Sequence, residues 1–406
     1  MDRAIPQENP VPARDTRGTG LTFRPTDLFW LIGLVLLVFG AAGMWQRLTV
    51  GLAPSNLTSF VPWGLWVAFY DYLVWVEVGS LMVFTILVYF AGQKRLEKLK
   101  PVVLLSGFAV LIMGLLLVML DLGHPLRFWH VLVYPDFTSM IAWMVWLHMG
   151  YVLIVVAELG LVLWGGARAH GILKALAYLS LPVGLALIIV SGSIFGVVAA
   201  RPLWNTASLP LMFLVSALAS GSSLILLLAV LFWPNKRADE YQQVIRQLSR
   251  LSSSLILGGV FAAGVIAFTI LYNSSGNPAR LEALNLILSG PYWWSFWIIH
   301  ILLGVAVPLA LLFFAKGRPL VAGIAAALNV TTFVAVTLNV VIPALVTPEI
   351  EGLTNAFVDP KLNPQYVPNL MEWQVIAFVF GLGAIVYGLG HRFLPLRREH
   401  AEVNHE

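Results

Sequence analysis

Ten long apolar stretches, separated by short polar segments, make up most of the hydropathy pattern of this chain. Each has roughly 20 residues or more, the length that a helix needs to cross a ~30 Å hydrocarbon core. The stretches are residues 27–48, 61–92, 102–120, 139–165, 176–199, 208–233, 252–273, 291–315, 319–346 and 371–395. The pattern predicts an all-α membrane protein whose ten-helix transmembrane domain occupies residues 27–396.

The composition indicates the same class. The chain is 59% hydrophobic and only 11% charged, whereas soluble domains have about 25% charged residues. It contains no cysteine, so it has no thiolates with which to bind an iron–sulfur cluster. If the protein handles electrons, a partner or a bound small molecule must carry them.

The distribution of basic residues predicts the orientation. With the N-terminus inside, 19 of the 24 Lys and Arg residues fall in inside segments, and the five outside are Arg47, Arg127, Arg201, Arg280 and Lys361. We therefore expect a multi-pass protein of a bacterial or archaeal cytoplasmic (inner) membrane, with cytoplasmic tails at residues 1–26 and 397–406. Because the basic residues flank membrane spans, the net charge of +4 does not indicate a nucleic acid partner.

Two similar patterns indicate an internal repeat. W-x2-W-x-H opens the fourth span and W-x2-W-x2-H opens the eighth, and their histidines are His148 and His300. Both spans run from the outside to the inside. The repeat predicts two four-helix bundles, made of helices 2–5 and 6–9, flanked by helices 1 and 10.

Ionisable side chains inside the spans are expensive, so they indicate a function or a buried partner. Helix 2 carries Asp71 and Glu77, and helix 4 carries His148 and Glu158. Their depths predict a ladder of acids that transfers protons from the cytoplasmic side towards the outer face. The alternative is that these polar groups only hold the helices together.

The connection between spans three and four concentrates charge, imidazole and indole groups. Asp121, His124 and Arg127 lie beside Trp129, and Trp143 follows in the fourth span. Titratable groups beneath an aromatic belt are the setting that a quinone head group needs. The alternative is an ordinary interfacial loop whose tryptophans anchor helix ends.

Two other classes stay open. His148 and His300 lie at similar depths and could bind a haem iron, as in a haem b-carrying quinol oxidoreductase subunit, although a di-haem protein usually needs four such histidines. A secondary transporter would be expected to have helices broken at matching positions of both repeats, and the prolines inside the spans do not pair in that way. No glycine motif for binding a nucleotide is present.

Three segments resemble the NrfD-like, polysulfide-reductase-type integral membrane subunits. They are VPWGLWVAFYDY (Val61 to Tyr72), DLGHPLRFWHVL (Asp121 to Leu132) and LPLMFLVSALASGSSL (Leu209 to Leu224). The ten spans and the YVPNLMEW segment before the last one are similar to the branch with the membrane subunits of uptake hydrogenases and of the dissimilatory sulfite-reductase-linked complex. One departure is His124, where the family loop more often reads DLGRP.

The resemblance implies a quinone-interacting membrane anchor without redox centres of its own. It would use menaquinone or ubiquinone as substrate, lie in membrane lipid, and dock on its outer face to a ferredoxin-like iron–sulfur subunit and a catalytic or cytochrome subunit. Neither haem nor a bound metal is expected. The implied quinone site has Asp121, His124 and Arg127 as its polar side, Trp129 and Trp143 as aromatic walls, and Tyr70 or Asp71 as a hydrogen-bonding group.

Overall fold

The computed structural model describes residues 27–166, 169–272, 278–315, 317–348, 359 and 361–396. Both predicted tails, 1–26 and 397–406, lie outside these residues. The described part is helical without any strand, and ten of its helices are long and apolar enough to span a membrane. They are α1 Asp27–Thr49, α2 Leu65–Phe90, α3 Lys94–Asp121, α4 Met140–Trp164, α5 His170–Gly196, α6 Ser208–Phe232, α7 Asp239–Thr269, α8 Ser295–Phe314, α9 Pro319–Val346 and α10 Leu370–Phe393. The predicted all-α membrane fold is confirmed.

Helix α7 begins well before the apolar stretch that predicted it. The stretch starts at residue 252, whereas the helix starts at Asp239. The additional turns are polar on one side and bury Tyr241, Val244 and Leu248 on the other. The apolar residues of such turns recur at helical spacing, but the mean hydropathy of the turns is low. A hydropathy average therefore does not detect them.

The packing of the helices agrees with the two predicted bundles. Helices α2 to α5 form one ring of contacts and α6 to α9 form another. The rings meet where α2 packs against α6 and α9, and where α5 packs against α6. Helices α1 and α10 pack along each other, and α10 rests on α3.

Glycines allow the closest approach of the two bundles. Gly79 of α2 and Gly221 of α6 face each other, and a Cβ atom on Gly79 would overlap the carbonyl of Ala217. A Cβ atom on Gly221 would overlap the backbone at Gly79. The helices touch through their backbones, which only small residues permit.

Two helices of the second bundle are irregular. The first part of α8, Ser295–Ala306, is a π-helix, and α9 is interrupted at Phe333 between two α-helical halves. The Asn329 side chain donates a 2.8 Å hydrogen bond to the Gly304 carbonyl across the pair. The counterpart of α9 in the first bundle, α5, has no matching interruption. The matched breaks expected of a transporter are therefore not present in the described helices.

Candidate functional site

Helix α2 is the central element of the site because other helices surround it. Nearly all of its residues from Leu65 to Thr85 are buried, against α3, α5, α6, α9 and α10. Its polar side chains therefore cannot face lipid. Tyr70, Asp71 and Glu77 all lie inside the protein.

Three of the predicted residues meet in the first bundle. The Tyr70 hydroxyl lies 3.3 Å from Nδ1 of His148, and the rings are stacked with their centroids 6.1 Å apart. Nε2 of His148 lies 3.7 Å from Oε2 of Glu77. His148 and Glu77 are only 2% and 1% exposed. Phenol, imidazole and carboxyl groups thus form one buried array that joins α2 to α4, in which the first contact is within hydrogen-bond distance and the second, at 3.7 Å, is at ion-pair distance.

Asp71 turns towards a different helix. One of its oxygens accepts a 3.3 Å hydrogen bond from the Ser191 hydroxyl of α5, and the other is buried without a hydrogen-bond partner in the described part of the chain. Asp71 follows Tyr70 in the sequence, but its hydrogen bond is to α5 and not to the array of Tyr70, His148 and Glu77. An unpaired buried acceptor is costly unless water or a ligand reaches it.

The lower part of the predicted ladder contains a residue that the sequence analysis missed. His148, Tyr151 and Glu158 lie on one buried face of α4, as the spacings of three and seven residues require. Tyr151 interacts electrostatically with both Glu77 and Glu158, and its buried hydroxyl has no hydrogen-bond partner among the residues that the structure describes. Glu158 in turn interacts with Lys100 of α3. The sequence signal that could have identified Tyr151 was its helical spacing, three residues after His148 and seven before Glu158.

Asp121 lies beside a cation from α1. The buried Arg47 interacts electrostatically with Asp121, and its guanidinium donates 2.6 Å hydrogen bonds to the carbonyls of Leu120 and Leu122. Sequence reasoning counted Arg47 only as an outside basic residue, because its burial depends on tertiary packing. The structure thus places Arg47, and not Arg127, against the backbone on both sides of Asp121.

The remaining predicted quinone-site residues lie on the surface. His124 and Arg127 are exposed, and Trp129 is 45% exposed. Trp143 is 43% exposed and donates a 2.9 Å hydrogen bond to the Phe137 carbonyl. These side chains lie at the predicted outer end of the bundle, above the buried array of Tyr70, His148 and Glu77.

A further buried carboxyl group, that of Glu372 in α10, lies at this end of the bundle. Its side chain accepts hydrogen bonds from the backbone of Asn56 and Asn369 and from the Tyr366 hydroxyl. The Tyr366 hydroxyl accepts one from the backbone of Leu65 at the start of α2. Burial, and then the nearby Glu372 carboxylate, raise the pKa of Tyr366 well above its ordinary value, so Tyr366 stays a donor. The N-x-x-E capping box of α10 was the sequence signal for Glu372.

The two repeat histidines lie in different surroundings. His300 is packed between the rings of Phe296 and Phe333 in the second bundle. His148 belongs to the first bundle, and both of its ring nitrogens face protein groups. The structure therefore places the two histidines in different bundles, each against protein side chains. Within the described ranges, no three His, Asp or Glu side chains are grouped to hold a metal ion.

Ten spanning helices around a buried polar array define a multi-pass integral membrane protein. The chain also matches the family model for polysulphide reductase, NrfD, over residues 54–349. It therefore belongs to the NrfD polysulphide reductase family.

Three proteins that are similar to this chain are named as parts of reductases or of an oxidoreductase. A selenate reductase subunit of Mesobacillus selenatarsenatis is 30% identical, over 93% of this chain and 96% of its own length. The Hdr-like menaquinol oxidoreductase integral membrane subunit of Archaeoglobus fulgidus is 25% identical, over 86% and 88%. A polysulfide reductase component of Wolinella succinogenes is 26% identical, over 49% and 65%. The protein is accordingly a membrane subunit of the oxidoreductase type.

Proposed function

We propose that this chain is the quinone-interacting membrane anchor of a respiratory oxidoreductase complex. It exchanges electrons between the membrane quinone pool and an iron–sulfur partner subunit on the predicted outer face. The observation that carries the proposal is the buried contact between Tyr70, His148 and Glu77. The name of the Archaeoglobus relative, a menaquinol oxidoreductase subunit, supports a quinone as the substrate.

The array suits the proton chemistry of a quinone. Each quinol that becomes a quinone passes its electrons on and releases its hydroxyl hydrogens as protons, which need an acceptor close to the ring. Imidazole and carboxylate groups within hydrogen-bond reach are the usual acceptors. His148 takes a proton on one ring nitrogen and passes one from the other, so it connects Tyr70 to Glu77. The electrons go directly to the partner, since the chain has no cysteine to hold a cluster.

The same proposal includes a path for protons to the predicted inner face. From Glu77 the path continues to Tyr151 and then to Glu158, which lies near Lys100. Asp71, held by Ser191 on the neighbouring helix, lies beside the upper end of the path. Each of these groups exchanges protons with a neighbour or with water between them.

Replacement of Asp121 by Asn tests the quinone site. We expect assembly to be kept, because Arg47 holds the loop through the carbonyls of Leu120 and Leu122. Quinone turnover should fall about tenfold or more, since the amide does not exchange a proton. The measurement is the quinol-dependent activity of the complex purified through a tag on this chain. Wild-type turnover in an assembled Asp121→Asn complex would show that Asp121 is not part of the quinone site.

Replacement of Glu158 by Gln tests the proton path. In sealed vesicles we expect proton transfer at the predicted inner side, release during quinol oxidation and uptake during quinone reduction, to slow roughly tenfold or more, with the complex still assembled. Tyr151→Phe should have a similar but smaller effect, because water can replace the hydroxyl group. If both variants move protons at the wild-type rate, Glu158 and Tyr151 only hold α4 in the bundle.

The orientation is testable because the chain has no cysteine of its own. A single cysteine at the exposed Tyr134 should react with a membrane-impermeant maleimide in intact cells. One at the exposed Glu97 should react only after the membrane is opened. The expectation rests on the positive-inside bias. The reverse labelling pattern would invert every assignment of inside and outside.

A further inference from the structure

A cavity of about 260 Å³ lies at the predicted inner end of the protein, far from the array at Tyr70. It is formed by the end of α2, by the start of α3 and by the first turns of α7. Most of its lining is aliphatic and comes from Leu87, Leu96, Val244, Leu248 and Leu251. An aliphatic cavity at a membrane boundary matches a hydrocarbon chain better than a polar solute.

A cation lies at the edge of this cavity. The Arg95 guanidinium donates four hydrogen bonds, all to side-chain oxygens of Gln93, Gln243 and Gln247. Two of these residues, Gln93 and Gln247, also line the cavity. The glutamines orient the guanidinium, but they are uncharged and leave its positive charge uncompensated.

The neighbouring basic residue provides a contrast. Lys98 forms a 2.7 Å ion pair with Glu240, so its charge is already matched. Arg95 has no such carboxylate among the residues that the structure describes. Lys94 and Arg246 are exposed on the same two segments and add to the positive field. The site thus combines an apolar cavity with an oriented and unmatched cation.

We propose that this cavity binds an anionic phospholipid. One acyl chain lies against the leucines, and the phosphate accepts hydrogen bonds from Arg95. Basic pockets between membrane helices on the cytoplasmic side are suited to such head groups. A neutral quinone would leave the charge of Arg95 uncompensated, and a free phosphate would gain nothing from the leucines. The lipid would tie α2 of the first bundle to α7 of the second, and the proposal does not depend on the quinone function.

The test is lipid binding to the full chain, purified and delipidated in a neutral detergent and observed by native mass spectrometry. Phosphatidylglycerol should bind more tightly than phosphatidylethanolamine with the same acyl chains. Arg95→Gln should lower the affinity for phosphatidylglycerol about fivefold and remove the preference. Leu248→Trp should block both lipids, because the indole fills the cavity.

Two matched variants control for a general effect of charge removal or of added side-chain bulk on lipid binding. Arg250→Gln removes an exposed cation of α7 that does not line the cavity, and it should leave the affinity unchanged. Leu257→Trp adds the same bulk at a lipid-facing position of α7 and should bind both lipids normally.

Three results would overturn the proposal. Equal affinity for both lipids would indicate unspecific lipid around the helices. Inorganic phosphate that competes as well as phosphatidylglycerol would indicate a plain anion site. Unchanged affinity for phosphatidylglycerol in Arg95→Gln would show that Arg95 does not contribute to lipid binding. This variant tests the proposal even if Leu248→Trp fails to fold.

Discussion

Gly221→Ala should prevent the protein from accumulating in the membrane. The new methyl group would overlap the backbone of α2 at Gly79, where neither helix has a side chain that can turn away. Overpacking costs about 1–3 kcal/mol and occasionally more, and a rigid backbone obstacle places this site at the high end. The two bundles would have to separate along their closest contact. We expect the detergent-extracted yield and the melting temperature to fall sharply in Gly221→Ala, and in Gly79→Ala as well.

The control for this variant lies on α4. Gly150 and Gly160 are also glycines inside a spanning helix, but an added Cβ atom would meet nothing within 4 Å at either position. Gly150→Ala and Gly160→Ala should therefore accumulate and melt like the wild type, or slightly higher, since Ala favours helix. Equal stability of Gly221→Ala and Gly150→Ala would contradict the described crossing of α2 and α6.

Glu77→Gln should abolish most of the activity while leaving the complex intact. The amide keeps the size of the side chain and can still contact His148, so the packing of α2 against α4 is preserved. It cannot accept a proton, and general acid–base groups contribute a factor of roughly 100 or more to turnover. We expect quinone turnover to fall by about that factor, with partner subunits co-purifying at wild-type ratio.

Glu97→Gln is the matched control, because it makes the same chemical change at an exposed position near the predicted inner end. It should turn over at the wild-type rate. Tyr70→Phe should give an intermediate loss, since it removes the phenol but leaves His148 and Glu77 in contact. Full activity in Glu77→Gln would mean that the carboxyl group serves only to hold two helices together.

The spans and their order could be predicted because hydropathy depends on local composition. The same is true of the repeat, whose tryptophans follow a local pattern. One tryptophan of each copy, the first in α4 (Trp143) and the second in α8 (Trp297), donates a hydrogen bond to a carbonyl of the segment before its helix. The start of α7 was missed, since its first turns are buried only on one side.

The candidate site was predicted less completely. Tyr70, Glu77 and His148 were found because polar residues inside apolar spans are conspicuous, and the structure brings them together. Arg47 was not identified as a site residue, because it lies at the end of a span, where arginine is common. Its burial against Asp121 arises only after α1 has packed on α10 and α10 on α3. Such contacts between distant segments leave no periodic signal in the chain.

The π-helical start of α8 coincides with a difference between the two copies of the sequence repeat. The fourth span reads W-x2-W-x-H and the eighth reads W-x2-W-x2-H, so the later copy has one more residue between its second tryptophan and His300. A single residue inserted into an α-helix is accommodated as a π-helical segment, which keeps the residues on either side in register. The segment Ser295–Ala306 spans this point, and His300 is still buried. The one-residue difference between the two copies of the pattern thus coincides with the π-helical segment of α8, so the extra residue changes the helix geometry without moving His300 to the surface.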